Sequence, residues 1–273
     1  MRVVRRRIRY GSRTDCFSLW FAGDLHVGSA SCDEAAIGRW VRTVAAEDNA
    51  LVFLLGDLAE FIPRNDWRFR QSRLAGWLRG LDADYCDDIV DQQIRRVVSI
   101  LSPIAPKIVG ALSGNHESRQ LARWERDVHA AICRELKIEN LGMEAMIRLT
   151  FTRGSRSNAR NLDLYLHHGW FAGRKPGAKV NNLVDLFAHW DVDIIAVGHG
   201  HERLVAPAIL TQYLNQADEV VVKRRIALMA GAFMSVHEEN IENYADERGY
   251  RKTDRGPIRI LYKPSVNDIV AEL

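Results

Sequence analysis

Five clusters of metal-binding residue types stand along the chain, and each comes directly after a short apolar run. They are Asp24-Leu25-His26, Gly56-Asp57, Asn115-His116-Glu117, His167-His168 and His199-Gly200-His201. Imidazole, carboxylate and amide oxygen together suit borderline-hard divalent ions such as Mn²⁺, Fe²⁺, Zn²⁺ or Co²⁺, whereas an all-oxygen set would indicate Mg²⁺ or Ca²⁺. These clusters offer more ligands than one metal ion needs. Two ions about 3.5–4 Å apart and bridged by a carboxylate would use them all, with a bridging hydroxide as the nucleophile for in-line attack on phosphorus.

The coincidence of the clusters, rather than any one of them, supports this prediction. A Gly-Asp pair after a strand is usually a turn, and Asp24 with His26 alone would more often be a cap beside a surface histidine. Six of the nine histidines, however, fall at predicted strand ends beside glycine or carboxylate. The other three are expected to be structural or solvated, and they are His129, His189 and His237.

Alternating apolar runs and helix-like segments are the elements that must position these clusters. The predicted strands that precede the clusters are Phe17–Ala22, Leu51–Leu55, Lys107–Leu112, Leu162–Leu166 and Asp193–Val197. The predicted helices are Asp33–Glu47, Val90–Leu101, Leu121–Leu136 and one that begins near Asn181. An open α/β sheet places its ligand crevice outside the carboxyl ends of its strands. The sequence therefore predicts an α/β sandwich in which helices cover two sheets.

The overall composition fits one globular domain. The 273 residues are 47% hydrophobic and hold no apolar run near the ~18 residues of a membrane span. We expect a single domain over residues 1–273 with a helical insert around residues 60–101, no signal peptide and no membrane partner. The four cysteines lack paired spacing, so reduced thiols and a cytoplasmic location are expected. Net charge is only +3, and six arginines among the first thirteen residues predict a basic-faced first strand, with a phosphate-binding arm as the alternative.

The five clusters, in this order, resemble the calcineurin-like metallophosphoesterase superfamily. Its pattern is D-x-H, then G-D, then G-N-H-[D/E], then a histidine, then G-H-x-H, and the match runs from Asp24 to His201. The stretch from His168 to Asn181 is also similar to a subgroup common in phage and bacterial genomes. The resemblance implies a four-layer αββα sandwich with the site along one sheet edge.

The resemblance also implies a role for each cluster. One metal ion would be held by Asp24, His26, Asp57 and His201. The other would be held by Asp57, Asn115, His199 and one of His167 and His168. Both ions are divalent, with Mn²⁺ expected first and Fe, Zn, Co or Ni as alternatives.

The residues beside the ligands are given roles by the same resemblance. His116 would contact the phosphate together with Asn115 and protonate the leaving oxygen, with Glu117 orienting it. Apart from the resemblance, Arg174 follows a ligand cluster and its guanidinium fork suits the clamping of a phosphate oxygen; the alternative is a solvated charge.

The expected activity is hydrolysis of a phosphodiester, with a nucleic acid or nucleotide among the candidate substrates. The alternatives are a phosphomonoesterase or protein phosphatase, and a scaffold of the same family without catalysis. The insert mixes Trp67 and Trp77 with several arginines, which predicts either a stacking platform for bases or a helical hairpin that packs on the domain or on a second subunit. The sequence does not indicate an oligomeric state.

Overall fold

Short apolar runs bounded by turn residues form the strands of two β-sheets. The computed structural model describes residues 1–62, 64, 66–79, 86–154, 159–169, 175–237, 244–247, 249 and 251–272. Within these residues the first sheet has, in spatial order, β1 (Arg2–Arg9), β6 (Glu144–Thr152), β7 (Arg160–His167), β8 (Ile194–Val197), β11 (Val220–Met229) and β10 (Ile209–Leu214), and β9 (Leu204–Val205) also pairs with β11. The second sheet has, in order, β13 (Asp268–Glu272), β12 (Ile258–Lys263), β2 (Phe17–Ala22), β3 (Ala50–Leu54), β4 (Ile108–Leu112) and β5 (Glu139–Gly142).

The strands that precede the metal-binding clusters run parallel to their neighbours. In the second sheet β2 pairs with β3, and β3 with β4, all in parallel. In the first sheet β7, β8 and β11 are likewise parallel. Parallel strands end at the same edge of a sheet, so the residues after them are brought together.

Helices cover the outer face of each sheet. The helices of the described residues are α1 (Glu34–Ala46), α2 (Gly76–Arg79), α3 (Cys86–Leu101), α4 (Asn115–Trp124), α5 (Val128–Leu136), α6 (Pro176–Asp185) and α7 (Tyr244–Glu247), and four of them cover sheet faces. Apolar residues of α1, α3 and α5 form one core with the outer face of the second sheet, and α6 packs on the outer face of the first. A third core lies between the two sheets. The predicted α/β fold, a four-layer αββα sandwich, is confirmed.

The largest differences from the predicted helix bounds concern α4, α5 and α6, and α3 also begins four residues before Val90, at Cys86. The apolar spacing over Leu121–Leu136 predicted one helix, but the structure has two, α4 and α5. The break lies at Glu125, whose left-handed φ of 54° ends α4, and at Asp127, whose carboxylate accepts a hydrogen bond from the Ala130 N–H at 2.8 Å and so caps α5. Helix α6 begins at Pro176, earlier than predicted, because proline at the first position already has a helical φ.

The arginine-rich N-terminal segment forms the predicted strand. It pairs with β6 at the edge of the first sheet, and Val4 and Ile8 pack against the core between the sheets. Arg5 and Arg7, which alternate with them, are exposed. None of the helices in the described part of the chain is long and apolar enough to cross a bilayer.

Candidate metal centre

Asp24, His26 and His201 form the first group of converging ligand atoms. Each offers one atom within 4.8 Å of the others. The Nε2 atom of His201 lies 3.3 Å from Asp24 Oδ1 and 3.3 Å from His26 Nε2. Asp24 and His26 are buried, so bulk water does not satisfy their polar atoms.

The hydrogen bonds of the first group leave lone pairs that face one another. His26 Nδ1 lies 3.0 Å from Glu60 Oε2, so the proton of a neutral His26 belongs on Nδ1 and its Nε2 carries a lone pair. Asp24 Oδ1 is buried and has no hydrogen-bond partner among the described residues. Buried acceptors that converge without a donor are costly unless a cation lies between them. The group therefore fits a metal ion.

Asp57, His168 and His199 form the second group. His168 Nδ1 is 2.7 Å from the Leu55 carbonyl oxygen, which fixes a proton on Nδ1. Its Nε2 then faces two acceptors, Asp57 Oδ2 at 3.3 Å and Asn115 Oδ1 at 3.1 Å. A ligand histidine that donates its other ring N–H to a backbone carbonyl is the usual arrangement at metal sites.

The carboxylates of Asp57 and Asp24 stabilise positive charge at the second group. Burial alone would raise the pKa of Asp57, but the His168 and His116 imidazoles hold it well below its usual value. Burial alone would lower the pKa of His168, but Asp57 and then Asp24 raise it to about 10. Burial and the neighbouring His168 lower the pKa of His199, so this ring is neutral and keeps a lone pair for a cation.

The two groups are joined through the backbone and through Asp57. The His199 N–H donates to Asp24 Oδ2 at 2.8 Å, so a residue of the second group is tied to a carboxylate of the first. Asp57 Oδ1 accepts the His116 N–H at 2.9 Å, while its Oδ2 faces His168. The bridging of two ions by Asp57 stays a prediction.

The backbone at the ligands has an uncommon conformation. Left-handed φ values occur at Asp24 (52°), His26 (47°), Asp57 (51°), His199 (62°) and His201 (51°). Such values are unfavourable for residues other than glycine and cluster at functional sites, where the surrounding structure enforces them. Here they turn the chain sharply after each strand, where strand ends of the two sheets meet.

Glycine is required where these turns approach one another. Gly56 has a φ of +97°, and a Cβ there would lie 2.7 Å from both Gly114 N and His168 Nδ1. A Cβ at Gly114 would overlap Asp57. The glycines of the G-D and G-N-H motifs therefore allow β3, β4 and the histidine loop to meet.

His116 and Glu117 have different partners from those the resemblance implied, and the His116 ring lies 4.8 Å from the His26 ring of the first group. His116 Nδ1 donates to the carbonyl oxygen of Glu60 at 2.5 Å, so Glu60 fixes the ring orientation. The Glu117 carboxylate instead accepts the N–H groups of Gly114, Asp57 and Leu58, at 2.9, 3.1 and 2.7 Å. Burial and the Asp57 carboxylate raise the pKa of Glu117 to about 7. Glu117 thus holds the two ligand loops together rather than contacting the imidazole.

The structure distinguishes the paired histidines. His167 is the last residue of β7, and its ring lies on the same side of the strand as that of Tyr165, with 6.4 Å between the centroids. Its Nδ1 accepts the Gly169 N–H at 2.7 Å. His168, one residue later, points the other way and joins the second group. Arg174, predicted to bind substrate, lies outside the described residues.

Glu60 is the site residue that the sequence reasoning missed. Its side chain meets His26 and its backbone meets His116, so one residue orients a predicted ligand and the predicted acid. The available signal was a carboxylate three residues after Asp57, at the point where β3 has ended.

Comparisons with known proteins identify the family of the chain. The family model described as calcineurin-like phosphoesterase matches residues 17–203. No curated protein sequence matched the chain. Among solved structures, a metallophosphoesterase from Sphaerobacter thermophilus is 13% identical, with 94% of this chain and 88% of that one covered and a TM-score of 0.41. Zinc-bound Vps29 from Entamoeba histolytica is 13% identical, with 94% and 97% covered and a TM-score of 0.40.

A conserved uncharacterised protein from Streptococcus pneumoniae, described as a predicted phosphoesterase, is 15% identical, with 91% and 84% covered and a TM-score of 0.35. Similarity at this level bears on neither substrate nor metal. The match of the family model spans more than half of the chain and includes all five clusters. The chain therefore belongs to the calcineurin-like phosphoesterase family, and at the level of that family it is a metal-dependent hydrolase of phosphoric esters.

Proposed function

We propose that the protein is a dinuclear metal-dependent phosphodiesterase. The observation that carries this proposal is the convergence of two ligand groups, one around Asp24 and one around Asp57, where the carboxyl ends of strands from both sheets meet. Asp24, His26, Asp57 and His201 would hold one divalent ion, and Asp57, Asn115, His168 and His199 the other. When bound, such ions neutralise charge on phosphate oxygens and lower the pKa of water.

Residues of the chain itself supply the rest of the chemistry. Burial alone would lower the pKa of His116, but Asp57 and Glu60 raise it, which favours the imidazolium. With Nδ1–H committed to the Glu60 carbonyl, the remaining proton on Nε2 is the one that His116 can deliver to the leaving oxygen. Asp57, by accepting the His116 N–H, fixes the start of α4 relative to the ligands.

The side chains in direct contact with the ligand carboxylates favour a diester over a monoester. A monoester presents a third non-bridging oxygen and a second negative charge, which extra lysine or arginine side chains would balance. Within the described residues, no lysine or arginine forms an ion pair with the carboxylates of Asp24, Asp57 or Glu60. A phosphomonoesterase is therefore the second candidate.

Hydrolysis by the metal-reconstituted protein tests the proposal. We expect metal-stripped protein to be inactive, and protein refilled with Mn²⁺ to hydrolyse bis-p-nitrophenyl phosphate faster than p-nitrophenyl phosphate. Refilling in parallel with Zn²⁺, Fe²⁺, Co²⁺ and Ni²⁺ would rank the ions. A preference for the monoester would favour the second candidate. Failure to bind any metal would favour a scaffold without catalysis.

Replacing His116 by alanine is expected to slow poor leaving groups far more than good ones. General-acid assistance is worth about 10²–10⁴-fold when the leaving oxygen needs a proton, and p-nitrophenolate needs little. The measurement compares kcat/KM for a dinucleotide and for bis-p-nitrophenyl phosphate in the His116→Ala variant. His189→Ala, at an exposed histidine, is the control. Equal losses on both substrates would argue against the acid role.

A further inference from the structure

Arginines outnumber carboxylates beside α4, close to the metal centre. Asp66 is buried, and Arg68 donates to both of its oxygens, from Nε at 3.0 Å and from Nη2 at 2.9 Å. Arg123 Nη1 lies 3.7 Å from Asp66 Oδ2. The guanidinium of Arg119 is within electrostatic reach of all three of these groups. Three positive charges therefore surround one negative charge.

Arg119 is the member of this cluster without a partner. It is exposed, and among the described residues its guanidinium makes no hydrogen bond or ion pair. Partial burial and the neighbouring Arg68 lower its pKa, but a guanidinium does not lose its proton in the range in which proteins are stable. The repulsion among the arginines is therefore not relieved by deprotonation. An incoming anion would relieve it.

The arginines extend along one face of α4 from the metal centre. His116, Arg119 and Arg123 occupy positions i, i+3 and i+7 of the helix, which lie on one face. At a rise of 1.5 Å per residue, Arg119 and Arg123 lie about 4.5 and 10 Å beyond His116 along the axis. A chain of phosphates with one member at the metal centre would carry the next members past these two side chains.

An exposed tryptophan lies next to this cluster in the chain. Trp67, between Asp66 and Arg68, is 74% exposed. Trp77 is 38% exposed, and its Nε1 donates to Glu34 Oε1 at 3.0 Å while Arg96 lies over its ring at 5.8 Å. Trp77 is thus engaged in packing, whereas the Trp67 ring is available to a ligand. Exposed aromatic rings and arginines in one region of a surface together bind unpaired bases and their phosphates.

We propose that Arg119, Arg123 and Trp67 form a binding site for single-stranded nucleic acid. The two arginines contact the phosphates next to the scissile one, and Trp67 stacks on a base. This site rests on the proposed function, since it presupposes that the scissile diester lies at the metal centre. If the site binds in this way, the substrate class is a strand with several phosphates rather than an isolated diester.

Binding without hydrolysis tests the site apart from the chemistry. The probe is a fluorescein-labelled single-stranded oligothymidylate, titrated by anisotropy with the metal-stripped full chain. Arg119→Gln with Arg123→Gln is expected to raise Kd by at least about tenfold, since each charge-assisted bond that is removed is worth about that factor. The slope of log Kd against the logarithm of the salt concentration should also decrease by about 0.7 for each phosphate that the variant no longer neutralises.

Trp67→Ala is expected to weaken binding of the oligothymidylate by about tenfold, because the base no longer has a ring on which to stack. Matched controls are Trp77→Ala, which should cost stability and leave Kd within about twofold, and Arg39→Gln, at an exposed arginine of α1. Circular dichroism checks that each variant is folded. Unchanged binding in both the arginine and the tryptophan variants would overturn the site.

Hydrolysis by the Mn²⁺-loaded protein separates failure of the site from failure of the proposed function. The double arginine variant should lose at least about tenfold more kcat/KM on the oligothymidylate than on bis-p-nitrophenyl phosphate. Equal losses on the two substrates would overturn the site, because the arginines would then act at the scissile phosphate. Wild-type protein that cleaves only the small diester would also overturn it and leave the proposed function standing. Cleavage of neither substrate would count against both.

Discussion

Asparagine in place of Asp57 is expected to reduce metal-dependent hydrolysis of bis-p-nitrophenyl phosphate by more than about 100-fold. Even partners outside the ligand shell of a metal are worth about 10–100-fold, and Asp57 is predicted to ligate both ions. Its Oδ2 faces His168 Nε2 at 3.3 Å, and its Oδ1 accepts the His116 N–H. The amide keeps the shape of the side chain but removes the charge and one acceptor. Metal affinity should therefore fall, and the hydrogen bond that positions the start of α4 should weaken.

The measurement combines turnover with metal content of the purified Asp57→Asn variant, determined by mass spectrometry of the digested protein. Asp48→Asn, at an exposed aspartate, is the control and should retain both. Turnover near the wild-type rate in Asp57→Asn would remove the bridging assignment. Loss of one metal equivalent with the other retained would assign Asp57 to a single ion.

Alanine at His168 is expected to lower turnover by more than about 100-fold and to weaken the binding of one metal ion. Alanine at His167 should lower turnover only a few-fold. His168 Nε2 meets Asp57 and Asn115, while His167 accepts a backbone N–H and lies beside Tyr165. The two substitutions remove the same group from adjacent positions, so each serves as the control for the other.

Titration of metal-stripped protein with Mn²⁺ by calorimetry, together with kcat on bis-p-nitrophenyl phosphate, measures both effects. A larger loss in His167→Ala than in His168→Ala would reverse the ligand assignment. Similar large losses in both would indicate that the Gly169 N–H to His167 hydrogen bond is needed to position the loop.

Much of the site was predictable because parallel strands end at one sheet edge. Polar residues directly after β2, β3 and β4 had to lie together at one edge of the second sheet, and those after β7 and β8 at one edge of the first. The meeting of Asp24 and Asp57 with His199 depends in addition on how the two sheets pack on each other. The strand runs themselves were also predictable, since each is short, apolar and bounded by turn residues. These features depend on local sequence and on one general rule of sheet geometry.

The remaining features depend on contacts between distant segments. Adjacent residues at a strand end point to opposite faces, so the choice between His167 and His168 needs the register of β7 in its sheet. Glu60 was not predictable as a site residue because its partners, His26 and His116, are distant from it in the chain and meet it only in the fold. The break between α4 and α5 was also not predictable, because no glycine or proline marks it. Glu125 takes the left-handed φ that ends α4, although its residue type does not favour that conformation.

The left-handed backbone at the ligands has a consequence for engineering this chain. Asp24, His26, Asp57, His199 and His201 each occupy a conformation that glycine adopts without strain. Strain of this kind costs on the order of 1 kcal/mol per residue. Glycine at any of these five positions would relieve that strain but would delete a predicted metal ligand and, at Asp24 or Asp57, the acceptor of a backbone N–H as well. Stabilised variants should accordingly be chosen under simultaneous selection for turnover.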